Sequence, residues 1–382
     1  MKVHICLVSA QAAPNLLPAL DPSLKPDEVV LVVSGKMCQQ ASHLQKVFKG
    51  NAIRVEQVQL DDEHDFRRTE QQFLDLAERL DGKTVFLNIT GGTKLMSVAA
   101  QSVAQASDWK MFYVDADTDR AIWLRDDEAP HPLQEQLKLR HYLQSYGFSL
   151  PSPPRKLHAT PAQKDLLCTL LTQIGSLKDA LGMLNHITSM AEERGSLSIE
   201  LTRQQSENRS LEALLRHFED AGALAVQGEA IRFPSTEDRD FVKGGWLELH
   251  AIQAVQEVSG ELSIRDKAVG LEVVDDATQT MNELDIAFMA RNRLWVIECK
   301  TARIDKQQRD AGELPKANDV LYKLHANCRR IGGLGTRGML VSYRDIRRSA
   351  RNLADALGIK IVSGTAIANL KKHLIDWVAP HG

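Results

Sequence analysis

Residues Asn282–Lys300 read NELDIAFMARNRLWVIECK, in which two apolar, strand-like runs flank Arg291–Asn292. Asparagine tolerates the left-handed backbone conformation that a two-residue hairpin turn requires. With this turn, the register predicts that Asp285 lies directly opposite Glu298 on one face of the hairpin. Because side chains alternate along a strand, Lys300 is expected on the same face. The sequence therefore predicts a β-hairpin that gathers three charged groups on one patch.

The chemistry of this patch favours a metal site. Two carboxylates and an ammonium group are costly to bury together unless another charge compensates them. A divalent cation supplies that compensation, so we expect Asp285 and Glu298 to bind Mg²⁺ or Mn²⁺ and Lys300 to face a reacting phosphate. The alternative is an ion-pair cluster on an exposed sheet surface. Leu294 and Val296 share the predicted face and argue against full exposure.

The spacing of these residues resembles the PD-(D/E)xK nucleases, in which an aspartate on one strand precedes Glu-x-Lys on the next. Leu284 stands where that family often has proline. The resemblance implies a restriction-endonuclease-like α/β fold with Asp285 and Glu298 as metal ligands. It also implies that Glu248, near the start of a preceding helix, is a helper ligand. Lys300 would orient or activate the attacking water.

The front of the chain alternates short β-branched runs with amphipathic stretches. Repeated β-α-β units of this kind predict a parallel, doubly wound sheet of the Rossmann type. The predicted strands are Val3–Ser9, Val29–Ser34, Ile53–Leu60, Thr84–Thr90, Lys110–Asp115 and Ala121–Leu124. The predicted helices are Lys36–Phe48, Asp62–Leu80 and Thr93–Ala106.

A ligand site is expected beyond the carboxyl ends of these strands, where doubly wound sheets bind ligands. Hydroxyl groups, glycines and lysines follow three of the strands. Paired glycines let backbone approach a ligand closely, and a helix N-terminus favours an anion. The spacing of a Walker motif is absent, so triphosphate hydrolysis is not expected. The predicted ligand-binding residues are Ser9, Gln11, Ser34, Gly35, Lys36, Met37, Thr90, Gly91, Gly92, Thr93 and Lys94.

The string Asn-Ile-Thr-Gly-Gly-Thr-Lys at Asn88–Lys94 resembles the CARF domains of CRISPR-associated proteins, and Ser34–Lys36 agrees with that resemblance. It implies a cyclic oligoadenylate bound across a two-fold dimer interface. A CARF domain joined to a PD-(D/E)xK nuclease resembles, over nearly the whole chain, the cyclic-oligoadenylate-activated nucleases of type III CRISPR systems. A homodimer matches an even-numbered ring by symmetry, and the short loops favour cyclic tetra-adenylate over the hexamer.

Four prolines within Pro151–Pro161 predict a linker, because proline continues neither a helix nor a central strand. We therefore expect a CARF-like domain at 1–150, the linker at 151–161, a connector at 162–238 and the nuclease domain at 239–382. Helices followed by a small hairpin make the connector winged-helix-like, and an irregular helical connector is the alternative. A GxGxxG pattern at Gly333–Gly338 precedes a strand instead of following one, so we interpret it as a loop.

Charge and composition restrict the partners. The net charge of −3 conceals a basic region, residues 291–372, with 18 lysines and arginines against 7 acidic residues. This charge suits a polyanion partner such as DNA or RNA, and a set of solvated helix faces is the alternative. The five cysteines are scattered, so neither a zinc site nor a disulfide framework is expected. No apolar run reaches the roughly 18 residues of a membrane span, and no targeting pattern precedes the first strand. We expect a cytoplasmic protein without membrane contact.

Together these patterns predict a homodimeric, metal-dependent endonuclease of antiviral defence that cleaves DNA or RNA when cyclic oligoadenylate binds. One alternative is a CARF-controlled transcription regulator in which residues 162–235 contact DNA and the C-terminal domain is inert. A sensor that mainly degrades its own messenger is a further alternative. The sequence leaves the choice between DNA and RNA open.

Overall fold

The computed structural model describes residues 1–116, 118–125, 128–134, 137–155, 159–302, 304 and 316–379. Residues 156–158 of the predicted linker lie outside the described residues. Among the helices that are described, none is long and apolar enough to cross a bilayer.

The N-terminal part forms the predicted parallel sheet. The strand order is β3-β2-β1-β4-β5-β6-β7, with β1 to β5 parallel and the last two strands antiparallel. The elements are β1 (Lys2–Leu7), α1 (Ala13–Leu20), β2 (Glu28–Val33), α2 (Cys38–Gly50), β3 (Arg54–Gln59), α3 (Phe66–Arg79), β4 (Thr84–Asn88), α4 (Lys94–Ala106), β5 (Lys110–Asp115), β6 (Arg120–Trp123), β7 (His131–Pro132), α5 (Leu139–Ser145) and β8 (Phe148–Ser149). Helix α1 was not predicted; Pro18 argues against a helix there, whereas Pro14 lies in the first turn, where proline is tolerated.

Helices cover both faces of this sheet, which explains its continuous apolar strands. Along β1, Ile5 packs on one side with α3 and α4, whereas Cys6 packs on the other side with α1 and α2. Strand β2, with the sequence EVVLVV, alternates between the same two clusters and is buried from its second residue onward. The central strands are therefore buried, whereas the polar edge strand β3 and the loops remain accessible.

The middle of the chain contains helices and a small three-stranded sheet of order β10-β11-β9. Its elements are α6 (Pro161–Thr172), α7 (Ile174–Glu193), β9 (Ser198–Glu200), α8 (Arg203–Ser206), α9 (Arg209–Asp220), β10 (Ala225–Gln227) and β11 (Ala230–Arg232). The predicted helices and hairpin are both present, and β9 adds a third strand. Thr160 caps α6, and Pro161 occupies its first turn, where a missing N–H costs nothing. The predicted boundaries and any nucleic-acid role of this part remain predictions.

The C-terminal part contains a mixed sheet of order β16-β15-β14-β13-β12-β8, so residues 148–149 pair with a strand far along the chain. Strands β12 to β14 are antiparallel, and β14 to β16 are parallel. The elements are α10 (Thr236–Asp240), a π-helical turn (Phe241–Gly245), α11 (Trp246–Glu257), β12 (Asp266–Asp275), β13 (Met281–Ala290), β14 (Arg293–Lys300), α12 (Lys316–Gly332), β15 (Arg337–Ser342), α13 (Arg348–Ala356), β16 (Ile359–Ser363) and α14 (Leu370–Val378).

Candidate functional site

The hairpin β13–β14 has the predicted turn and register. Arg291 and Asn292 both have a φ of 52°, the left-handed conformation of a two-residue hairpin turn. The strand pairs run from Ala290–Arg293 to Ile286–Ile297. The next position along this register contains Asp285 and Glu298. Here β14 continues beside β15, with Glu298 paired to Leu340.

The charged patch lies where the β13–β14 ladder ends. Asp285 Oδ2 accepts a hydrogen bond of 2.7 Å from the Cys299 backbone N–H. Lys300 Nζ lies 2.5 Å from Glu298 Oε1, and these two side chains are 32% and 24% exposed. Val296, which shares their face, is fully buried. The patch is therefore half-buried rather than spread on an open surface.

Burial and mutual repulsion dominate the electrostatics of this patch. Burial raises the pKa of Asp285 well above its ordinary value, and Glu298 and Glu248 raise it further against the opposing effect of Lys300. Burial lowers the pKa of Lys300, but the carboxylates of Glu298 and Asp285 outweigh burial and raise it. The ionised form of Asp285 is therefore unfavourable here unless a further positive charge joins Lys300.

Glu248 is brought to this patch by the start of α11. The Thr301 hydroxyl, just beyond β14, donates to the Lys243 carbonyl at 3.1 Å and so joins the strand end to the π-helical turn. A Cβ at Gly244 would lie 2.9 Å from Thr301 Oγ1, so this contact requires glycine. Burial raises the pKa of Glu248, Glu283 raises it too, and Arg155 and Lys300 lower it. The predicted helper residue therefore belongs to the same electrostatic site.

The residues of the patch fit a divalent cation by their chemistry. Asp285, Glu298 and Glu248 supply hard carboxylate oxygens in a place that lacks positive charge. Within the part of the chain that the structure describes, no three acidic, histidine or cysteine side chains lie close enough to enclose a metal. Glu298 pairs with Lys300, and Asp285 accepts from the backbone. The donor types, rather than their present spacing, favour a metal.

Two residues near this patch were missed by sequence analysis. Glu283 stands two positions before Asp285, so strand alternation could have placed it on the same face. Arg155 forms a 2.8 Å ion pair with Glu283 and lies in the predicted linker, far away in the chain. No local pattern in the sequence could have indicated its position.

The three loops predicted to bind a ligand lie at one edge of the N-terminal sheet. Strand β1 lies between β2 and β4, and all three are parallel, so their carboxyl ends meet. The strand order changes direction between β1 and β4, which is where doubly wound sheets bind ligands. Gly35, Lys36, Thr93 and Lys94 are exposed at this edge, whereas Ser34 is buried.

Several residues of these loops have structural contacts of their own. A Cβ at Gly91 would lie 2.1 Å from the Leu7 carbonyl oxygen, so its close backbone approach is to β1. The Thr90 hydroxyl donates to Asn88 Oδ1 and accepts from the Val114 N–H, each at 2.7 Å. The Thr93 hydroxyl caps α4. These contacts fix the shape of the loops.

Gln11, predicted to bind the ligand, contacts the C-terminal part. Its Oε1 accepts from the Tyr146 hydroxyl at 3.4 Å and from the Leu334 N–H at 3.3 Å. Tyr142, one turn before Tyr146, donates to the Gly332 carbonyl at 2.9 Å. Leu334 belongs to the GxGxxG stretch, which was predicted to be a loop but forms a 3-10 turn at Gly333–Gly335, with β15 beginning at Arg337. This turn therefore connects the ligand edge to the end of α12.

Comparison with solved structures shows the same overall fold. The crystal structure of protein VC1899 from Vibrio cholerae is 24% identical, with a TM-score of 0.86 over 99% of this chain and 98% of that one. Can2 from Sulfobacillus thermosulfidooxidans, in complex with cyclic tetra-adenylate, is 21% identical, with a TM-score of 0.81 over 99% of this chain and all of that one. A type III CRISPR defence DNA nuclease activated by cyclic oligoadenylate is 19% identical, with a TM-score of 0.58; 90% of this chain covers 45% of that one.

Comparison with family models assigns both ends of the chain. Residues 3–142 match the Card1 CARF domain, and residues 235–381 match the Card1-like endonuclease domain. No curated protein matches the chain. The endonuclease match favours the predicted enzyme over a transcription regulator with an inert C-terminal domain. The chain therefore combines a Card1-type CARF domain with a Card1-like endonuclease domain that follows it.

Proposed function

We propose that this protein is an endonuclease of type III CRISPR defence that cuts DNA or RNA when a cyclic oligoadenylate binds to its CARF domain. The observation that carries the proposal is the convergence of Asp285, Glu298 and Lys300 beside Glu248 in the endonuclease domain. The same chain presents three loops of glycines, hydroxyls and lysines at one sheet edge. A sensor and a nuclease in one chain provide the two sites that an allosteric switch needs.

In the nuclease, an endonuclease domain of this kind requires a divalent cation, and we expect Mg²⁺ or Mn²⁺. Asp285, Glu298 and Glu248 would hold it. When bound, such an ion activates water and neutralises charge on the phosphate. Lys300 would then release Glu298. Its ammonium group would orient the attacking water and contact the scissile phosphate.

The messenger site uses the carboxyl edge of β1, β2 and β4. Lys36 and Lys94 are exposed cations beside two neighbouring loops. Lys94 is the first residue of α4, and the positive end of this helix favours a phosphate beside the cap that Thr93 makes to the Met96 N–H. The loops Ser34–Met37 and Thr90–Lys94 are short. A small ring suits them, so we favour cyclic tetra-adenylate over the hexamer.

The exposed face of α4 supports a homodimer across this edge. Leu95 and Val98, one and four residues after Lys94, are 42% and 54% exposed. Large apolar side chains beside a charged ligand edge are typical of an interaction surface. A two-fold axis there would bring the same patch of both subunits against one symmetric ring. A second copy of this chain is therefore the partner we expect.

The nuclease is tested with purified protein and labelled single- and double-stranded DNA and RNA, with and without each cyclic oligoadenylate. Cleavage should need Mg²⁺ or Mn²⁺ and stop with a chelator. Glu298→Gln and Lys300→Ala should reduce kcat by about a hundredfold or more, since metal and charge stabilisation contribute several kcal/mol. Both variants should still bind the messenger. Undiminished cutting by Glu298→Gln would contradict the assignment, and Glu56→Gln, in the CARF domain, is the control.

The messenger and the assembly are tested together by calorimetry. One cyclic tetra-adenylate should bind per two protein chains, with the hexamer binding more weakly. A stoichiometry of one ring per chain would refute the shared interface, whichever ring bound more tightly.

A further inference from the structure

Arg155 is fixed against the strands of the nuclease site. It pairs with Val269 of β12 through an isolated antiparallel bridge. Its side chain crosses Gly270, where a Cβ would lie 2.8 Å from Arg155 Cδ and Nε. In the β12–β13 register, Gly270 lies beside Asp285, between two regular pairs. Gly270 has a φ of 54°, so a residue without Cβ both permits this backbone and leaves room for the arginine.

The guanidinium lies at the acidic rim of the site. Arg155 Nη2 is 2.8 Å from Glu283 Oε1, and the two side chains are 57% and 46% exposed. Glu283 lies two residues before Asp285 on β13, and Gly270, against which the arginine side chain packs, lies beside Asp285 in the register. Arg155 is therefore a solvent-accessible cation next to the residues that would hold the metal.

The ion pair between Arg155 and Glu283 by itself contributes little to the stability of the fold. An exposed ion pair contributes about 0–1 kcal/mol. A guanidinium, however, has five N–H donors in a fixed plane, so one carboxylate leaves donors for a second anion. Arginine is the side chain best suited to bidentate phosphate binding. A nucleic acid that places one phosphate near Asp285 and Lys300 has neighbouring phosphates on both sides, and Arg155 lies on the side of the site that Glu283 and Gly270 form.

We propose that Arg155 binds a backbone phosphate of the substrate next to the one that is attacked, with Glu283 holding the guanidinium in place before the substrate arrives. This inference rests on the proposed nuclease function. Arg155 is then a substrate-binding residue contributed by the predicted linker. Gly270 is the residue that makes space for it.

The test compares cleavage by wild type, Arg155→Ala and Arg155→Lys with the messenger saturating. Arg155→Ala should raise KM about tenfold or more, as expected for a lost charge-assisted hydrogen bond, and change kcat little. The lysine variant should recover part of the loss. Arg79→Ala is the matched control, because Arg79 forms a 2.7 Å ion pair with Glu56 at a similar exposure, 53% and 37%, in the CARF domain. Its KM should equal that of wild type.

Binding measurements separate this inference from the nuclease function. In cleavage-deficient Glu298→Gln protein, adding Arg155→Ala should weaken nucleic-acid binding and reduce the slope of log K against log salt by about 0.7–0.9, the value for one phosphate contact. A structural role alone would change the melting temperature but not this slope. Gly270→Ala should raise KM by displacing the arginine, and combining it with Arg155→Ala should add no further increase.

Each outcome bears on one claim. If wild type cleaves and Arg155→Ala has the wild-type KM and salt slope, the inference is wrong. If wild type cleaves no substrate with any messenger, the proposed function fails. The salt slope of the Glu298→Gln background then still decides whether Arg155 contacts phosphate.

Discussion

Replacing Gly91 with alanine should impair messenger binding by the CARF domain and leave the nuclease site intact. The added Cβ would lie 2.1 Å from the Leu7 carbonyl oxygen, which is backbone and cannot rotate away. Normal carbon–oxygen contact needs more than about 3 Å, so the β4–α4 loop must move from β1 by about 1 Å. Gly35, in the neighbouring predicted ligand loop, has no atom within 4 Å of its added Cβ. Neither glycine has a positive φ, so the comparison isolates the steric clash.

The size of the effect follows from the packing. Overpacking of a close-packed region costs about 1–3 kcal/mol. For a unit of this size each kcal/mol lowers Tm by about 2–4 °C, so Gly91→Ala should lower the Tm of the CARF domain by about 2–12 °C. Gly35→Ala lies on the surface and should change stability by less than about 0.5 kcal/mol. The displaced loop carries Thr93 and Lys94, so Gly91→Ala should also weaken messenger binding.

Calorimetric melting and messenger titration of both variants measure these effects. The nuclease site should remain intact, so saturating messenger should restore cleavage by Gly91→Ala. The steric reasoning is refuted if Gly91→Ala and Gly35→Ala melt within about 1 °C of each other.

Three further outcomes are expected. Lys36→Ala and Lys94→Ala should each need far more messenger for activation with an unchanged maximal rate; lost binding with full constitutive cutting would disprove the switch. His4 is fully buried, and burial, followed by nearby positive charge, lowers its pKa to about 3. The unfolded chain therefore binds a proton below about pH 6.5 that the folded chain does not, and stability falls by about 2 kcal/mol from pH 7 to pH 5. His4→Leu should remove that part of the pH dependence in urea unfolding, and an identical slope would exclude it. Thr301→Val removes the hydrogen bond to Lys243 and should lower kcat severalfold at unchanged messenger affinity; an unchanged kcat would show that this bond does not position Glu248.

Local patterns in the sequence predicted much of the nuclease hairpin and of the parallel sheet. The turn at Arg291–Asn292 fixes the register, and period-two alternation then assigns every side chain to a face. The apolar runs of β1, β2 and β4 similarly predicted parallel strands with loops at one edge. These features depend on neighbours within a few residues, which is why the sequence alone could predict them.

Tertiary packing decided what local patterns could not. Helix α1 forms despite Pro18 because its buried face packs into the N-terminal core. Gly91 proved to be required by the Leu7 backbone, which only the folded sheet brings near. Likewise, Arg155 meets Glu283 only because the chain returns beside β12 before the middle helices begin. Contacts between residues far apart in the chain depend on the whole arrangement of strands, and they leave no periodic pattern in the sequence.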